Sequence, residues 1–426
     1  MSTGGAGTPV LEMTDRERWL ATAGAIARHL VKTSHRYEDQ CTWMGTTQTA
    51  DDETDELEFT YATLGPELYG GTSGVALFLA EASARLDDRS LAASAEAGIR
   101  HALERAAKMP RASRLGFYSG AVGIAYAAVR IGRLLERSEH VDAALRLVED
   151  LPVDEPDAPF DIIDGAAGAA PALLRLASWC PGADLDRIAL RLGERLLDGA
   201  TRHSAGDGWS WRDPVLEADD APHLTGFSHG AAGIGWCLLA MHRATGEARW
   251  LAGAERAFSY ENRWYRSAEE NWPDFRGASA PDDPAPYGAA WCHGAPGIGL
   301  SRVRALVPGG VDAFRDDAKA ALRSSVRALA ALDADPDGDG SLCHGRAGVA
   351  EIIVELSAVL EDDGARQLAL ASVDAAAARF SAAPGLWPCG VARGTNPSLM
   401  LGLAGIGYAY LRLADPSLGS VLEPGS

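Results

Sequence analysis

Basic charge is scarce in this chain. Its 426 residues carry 39 Lys and Arg against 59 Asp and Glu, a formal charge of −20. Nucleic-acid backbones and anionic membrane surfaces, which require clustered Lys and Arg, are therefore excluded as main partners. No apolar run approaches the roughly 20 residues of a membrane-spanning helix. The opening MSTGGAGTPVLEMTDRERW lacks the basic-then-apolar pattern of a secretory signal. Cysteine is sparse: the six residues Cys41, Cys180, Cys237, Cys292, Cys343 and Cys389 point to free thiols or metal ligands in a reducing cytoplasm, not to a disulfide framework. Sustained Val/Ile/Thr alternation is nearly missing, so strands should contribute little.

Glycine is plentiful and periodic. A Gly-x-x-Gly turn followed by an apolar run recurs seven times, with first glycines at Gly71, Gly120, Gly165, Gly230, Gly294, Gly345 and Gly402, spaced by 45 to 65 residues. Between the turns lie stretches that mix charged and apolar positions at helical spacing: 90–109, 184–200, 247–264, 311–332 and 364–380. These predict amphipathic helices with one solvated face. The runs after the turns, such as VALFLAEASARL, are more uniformly apolar and predict helices enclosed by protein. Units that cannot bury their apolar faces alone must stack. Seven outer/inner pairs predict an all-α fold, an α/α toroid, in preference to an open solenoid, whose end repeats are normally polar. Thr14 and Glu17 have the spacing of a capping box. Residues 1–14 are expected to be disordered, the acidic stretch DDETDELE to be a solvated loop, and the long irregular segments 201–226 and 265–290 to be functional.

If the turns are equivalent, the residues just before each first glycine fall at one end of the ring, around its axis. One position before, the series reads Gly70, Ser119, Asp164, His229, His293, His344, Leu401; two before, it reads Tyr69, Tyr118, Ile163, Ser228, Cys292, Cys343, Met400. Three of the ten histidines thus share one slot in consecutive repeats. Cys292, Cys343 and His344 make a Cys2His set, the type that holds zinc with a fourth position open, and soft thiolates with imidazole favour Zn²⁺ over Mg²⁺ or Ca²⁺. His293, adjacent to Cys292, is the competing imidazole, and the residues alone do not choose between it and His344. His229 has no neighbouring cysteine and reads as an acid/base group. Asp161 and Asp164 are placed to orient a histidine or to cap a helix. The other four cysteines read as packing residues. The run DADPDGDGSLCH opens like a calcium loop, but its twelfth position is His344, not the bidentate Glu such a loop needs.

The segments GFSHGAAGIG, AWCHGAPGIGLSR, SLCHGRAG and NPSLMLGLAGIGYAYLRLADPS resemble the lanthionine synthetase C-like cyclases, specifically the cyclase domain of class II lanthipeptide synthetases, over residues 15–426. The resemblance implies a zinc-dependent Michael-type addition of peptide cysteine thiols to dehydroalanine or dehydrobutyrine, forming (methyl)lanthionine rings. Carried onto this sequence, it implies zinc ligands Cys292, Cys343 and His344, an acid/base His229 and a supporting Asp161. His293 and Asp164 are left for substrate positioning or support. It further implies a dehydrated precursor peptide, leader plus core, as substrate, and a separate dehydratase, because the chain starts at the cyclase. Where some members carry an arginine and a tyrosine, this sequence has Gly288 and His293, which puts charge stabilisation and substrate positioning there in question. Addition of glutathione to dehydroamino acids in proteins, a non-catalytic zinc- or peptide-binding toroid, and a sugar-processing barrel built on paired carboxylates stand as alternatives.

Overall fold

Thr14 starts the first helix as its spacing predicts. Its hydroxyl accepts the amide of Glu17 at 3.3 Å, and the Glu17 carboxylate accepts the amide of Thr14 at 2.8 Å, so two otherwise orphaned donors are satisfied reciprocally. The computed structural model describes residues 13–50, 57–204, 208–213, 221–278, 280, 283–306, 312–390 and 396–426. The N-terminal segment expected to be disordered lies outside the described residues up to position 12, as do 51–56 of the acidic stretch.

Seven helices follow the seven turns and form an inner ring: α2 (Thr72–Leu86), α4 (Ala121–Leu134), α6 (Ala166–Trp179), α8 (Ala231–Thr245), α10 (Ala295–Ala305), α12 (Arg346–Leu360) and α14 (Leu403–Ala414). Seven more wrap them: α1 (Asp15–Thr33), α3 (Arg89–Ala106), α5 (Ser138–Leu147), α7 (Leu185–Asp198), α9 (Ala248–Asn262), α11 (Arg315–Ala334) and α13 (Asp363–Phe380). The difference between the rings follows from composition. In α2 every residue from Thr72 to Ser83 is buried, whereas α7 buries only Leu185, Ala189, Leu192, Gly193 and Leu196, a single stripe. The ring closes because α1 packs on α14 and α14 packs on α2. The short α5 carried too little periodic signal to be expected.

A layer of backbone hydrogen bonds links the turns to one another. Tyr69 donates to Tyr118, Tyr118 to Ile163, Ile162 to Ser228, Ser228 to Cys292, Trp291 to Cys343, Cys343 to Met400, and Met400 back to Tyr69, all at 2.9–3.1 Å. Equivalent turn positions therefore sit at equivalent places around the axis. Glycine is needed where each turn enters its inner helix. A Cβ on Gly348 would stand 1.8 Å from the carbonyl oxygen of Leu342, and the second glycine of the other six turns meets a carbonyl at 1.6–2.2 Å.

Among the described residues, strand structure is confined to three antiparallel ribbons outside the helices: β1 (His35–Tyr37) with β2 (Gln40–Thr42), β3 (Met44–Ala50) with β4 (Leu57–Thr63), and β5 (Thr201–Arg202) with β6 (Trp209–Ser210). Leu57 and Glu58, expected in a loop, belong to β4. The tail from Leu418 to Ser426 packs against the interior beneath the turn layer. Tyr118 donates to the Val421 carbonyl at 2.7 Å, the Trp291 indole to Leu422 at 3.0 Å, and Tyr126 to Ser426 at 2.9 Å.

Candidate active site

Two groups of side chains rise from consecutive turns of repeats three to six. The first is a thiol pair. Cys292 and Cys343 precede the turns into α10 and α12, and their sulfurs hydrogen-bond each other. Hydrogen bonding from Cys343, working against burial and aided by the charges of His344, Arg276 and His229, brings the Cys292 thiol down to about 7. Burial and the neighbouring Cys292 push Cys343 up, so the pair releases its first proton from Cys292. The Tyr69 hydroxyl, from the same slot in repeat one, hydrogen-bonds the Cys343 sulfur.

His344 stands at the rim with its side chain 38 % exposed, and its Nδ1 donates to Asp339 Oδ2 at 2.7 Å. That bond raises its pKa against the opposing effect of burial and leaves Nε2 as the nitrogen able to ligate. His293 is oriented differently. Gly294 adopts φ +84°, where the first glycine of the other six turns has φ between −103° and −146°. A bridge between Ala289 and Gly294 accompanies this reversal. His293 is consequently buried, with Nε2 3.2 Å from Ser228 Oγ, its ring stacked 5.9 Å from that of His229, and no hydrogen-bond partner for Nδ1. Burial drives its pKa down to about 3 even with Asp274 nearby, so the ring is neutral.

The second group centres on His229, at the turn into α8. Asp161 is buried; one carboxylate oxygen accepts the amide of Asp164 at 2.8 Å and the other bonds His229 Nδ1. Asp161 thus both orients the histidine and caps its own turn. Burial disfavours the charged imidazole, but the bond and charge of Asp161, with Asp164 and Asp213, outweigh it and raise the pKa. Asp164 does not contact the ring; Ser119 donates to it, and burial beside Asp161 raises its pKa. A cavity of about 200 Å³ opens against His229, lined by Phe160, Asp161, Trp211, Arg212 and Asp213 among others.

Among the described residues, the trios whose donor atoms all lie within 4.8 Å of one another are Asp161/Asp213/His229 and Glu96/Glu139/His140. Glu96 is already neutralised by Arg100 and Arg137. Cys292, Cys343 and His344 do not form such a trio, and His344 Nδ1 is engaged by Asp339. Their chemistry nonetheless suits a zinc ion, with one thiol already near neutrality and an imidazole whose tautomer a carboxylate fixes.

Three contributors were missed in the sequence. Arg276, in the irregular segment 265–290, pairs with Asp274 at 2.7 Å and places its charge beside both cysteines. Asp339 belongs to the stretch set aside as a poor calcium loop, and Tyr69 occupies the right slot in a repeat without other chemistry. Of the cysteines read as packing, Cys41, Cys237 and Cys389 are buried and Cys180 is half-buried.

The sequence profile of the lanthionine synthetase C-like proteins matches residues 62–423. The chain belongs to this family. Among solved structures, nisin cyclase is similar at 17 % identity and TM-score 0.62, covering 82 % of this chain and 89 % of its own. The Lin0763 protein of Listeria innocua is similar at 13 % identity and TM-score 0.51, covering 93 % and 96 %. Both likenesses concern the fold, an α/α toroid of the lanthipeptide cyclase type. A comparison with curated proteins gave no match. No helix among the described residues is long and apolar enough to cross a membrane.

Proposed function

We propose that this lanthionine synthetase C-like protein is a zinc-dependent lanthipeptide cyclase. It would join peptide cysteine thiols to dehydroalanine or dehydrobutyrine in a dehydrated precursor peptide, leader plus core, made by a separate dehydratase in a reducing cytoplasm. The observation that carries this reading is the thiol pair sharing one rim with an oriented acid/base dyad, close enough that the charge of His229 acts on Cys292. Zinc would be held by Cys292, Cys343 and His344 Nε2, where two thiolates and a neutral imidazole leave no net charge, and it would keep a peptide thiol ionised near neutral pH.

Addition of that sulfur to the β-carbon forms the C–S bond and pushes the alkene electron pair towards the α-carbon and its carbonyl. The α-carbon must then take up one proton. His229, whose raised pKa keeps the proton available near neutrality, delivers it from Nε2, because Nδ1 is engaged by Asp161. Asp161 fixes the tautomer and supports the charged ring. Arg276 favours the negative charge that passes through the site. The buried, neutral His293 ring packs beneath His229 and donates no proton.

A dehydrated cysteine-containing peptide, followed by thiol alkylation and mass spectrometry, tests the assignment. Loss of free thiol without added small thiol is expected. Addition only when glutathione is supplied would favour the protein-repair alternative, and no addition by zinc-loaded protein would overturn the enzyme reading. Metal analysis should find about one zinc per chain, falling to none in Cys343→Ala.

A further inference from the structure

We propose that the buried Glu261–Arg302 ion pair is a positioning device that ties the His229 turn to the inner helix behind Cys292; this rests on the reading of His229 as proton donor. Glu261, on α9, and Arg302, on α10, have fully buried side chains and meet at 2.9 Å. Glu261 Oε1 accepts the amides of Gly226 at 2.8 Å and Ala232 at 3.0 Å, which bracket the turn carrying His229. Arg302 lies on the helix that begins three residues after Cys292. Its guanidinium is fixed further by Asp317 at 3.3 Å and Asn262 at 3.4 Å, and it stacks 4.1 Å from the centre of the Phe258 ring.

One carboxylate therefore grips the proton donor's turn with one oxygen and the thiol-bearing repeat with the other. Both side chains are shielded from bulk solvent. A buried pair of this kind adds little net stability over an apolar replacement, while its fork and two fixed amides specify a geometry. The fold contains a comparator. Glu81, also buried, pairs with Arg85 at 2.6 Å and with Arg130 at 2.5 Å, but its arginines are partly exposed and it grips no amide of a chemically equipped turn.

The test uses the full chain labelled with ¹⁵N-histidine. The Nδ1–H resonance of the His229–Asp161 bond is assigned by its disappearance in Asp161→Ala. In Glu261→Gln, shown to be folded by circular dichroism, that resonance should shift or vanish, and kcat should fall at least tenfold with KM little changed. Glu81→Gln should lower the melting temperature and leave the resonance in place. An unchanged resonance in folded Glu261→Gln, or an equal change in Glu81→Gln, overturns the proposal. If Glu261→Gln does not fold, Arg302→Lys decides, since it keeps the charge and loses the fork: a displaced resonance supports the device and an unchanged one overturns it. The resonance is read without turnover, so failure of the cyclase assignment and failure of this device are separate outcomes.

Discussion

Repeats five and six carry the same three residues before their inner helices, Cys-His-Gly, and put the imidazole to opposite uses. In repeat six the backbone enters α12 in extended conformation, and His344 stands at the rim on Asp339. In repeat five Gly294 reverses the chain at φ +84°, Asn271 accepts the amide of Ala295 at 2.8 Å and donates to the Gly288 carbonyl at 2.8 Å, and His293 turns under His229. A dipeptide does not fix where an imidazole faces. The backbone of the next residue and the carboxylate bonded to Nδ1 do.

The comparison breaks most sharply at the metal. His344→Ala should abolish zinc binding, while His293→Ala should keep about one zinc per chain, both read by metal analysis of the purified variants; the reverse pattern would exchange their roles. Next in size, Asp339→Ala should weaken zinc affinity by about 10- to 100-fold, since it removes the acceptor that orients His344, as measured by competition with a chromophoric chelator. Gly294→Ala should cost about 2 kcal/mol in denaturant unfolding, because the left-handed conformation disfavours a side chain and the added Cβ would lie 1.8 Å from the Gly288 carbonyl oxygen. The smallest effect is on pH. In the proposed mechanism His229 acts in its protonated form, and its pKa is raised, so cyclisation should be present below that pKa and be lost as pH rises through it. Asp161→Asn removes the main raising influence and should move the alkaline loss to lower pH. His293→Ala removes only a neutral ring and should leave the pH profile nearly in place.

These contrasts show where the sequence was readable. The seven Gly-x-x-Gly turns were legible because a crowded helix entry tolerates nothing larger at Gly348 and its counterparts. The alignment of His229, His293 and His344 was legible because turns joined edge to edge by hydrogen bonds preserve a common register. The outer helices were legible wherever they were long enough to show a stripe, which α5, at ten residues, is not. The fate of His293 was not legible, since a glycine's letter is the same at φ +84° and φ −112°. Arg276 and Asp339 lie in irregular segments where no periodicity says which way a side chain faces. Asp339 was further obscured by neighbours that imitate a calcium loop.

The hydrogen-bonded circle of turns also converts sequence position into direction. Moving one repeat along the chain turns the backbone of the turn by about a seventh of a revolution, so the order of repeats is an angular map of the turn layer. On that map the titratable and thiol groups occupy the arc from Asp164 to His344. Leu401, Met400, Tyr69 and Tyr118 occupy the remainder, with Tyr69 reaching across the seam to Cys343. Of these four, Tyr69 and Leu401 are partly exposed, while Tyr118 and Met400 are fully buried.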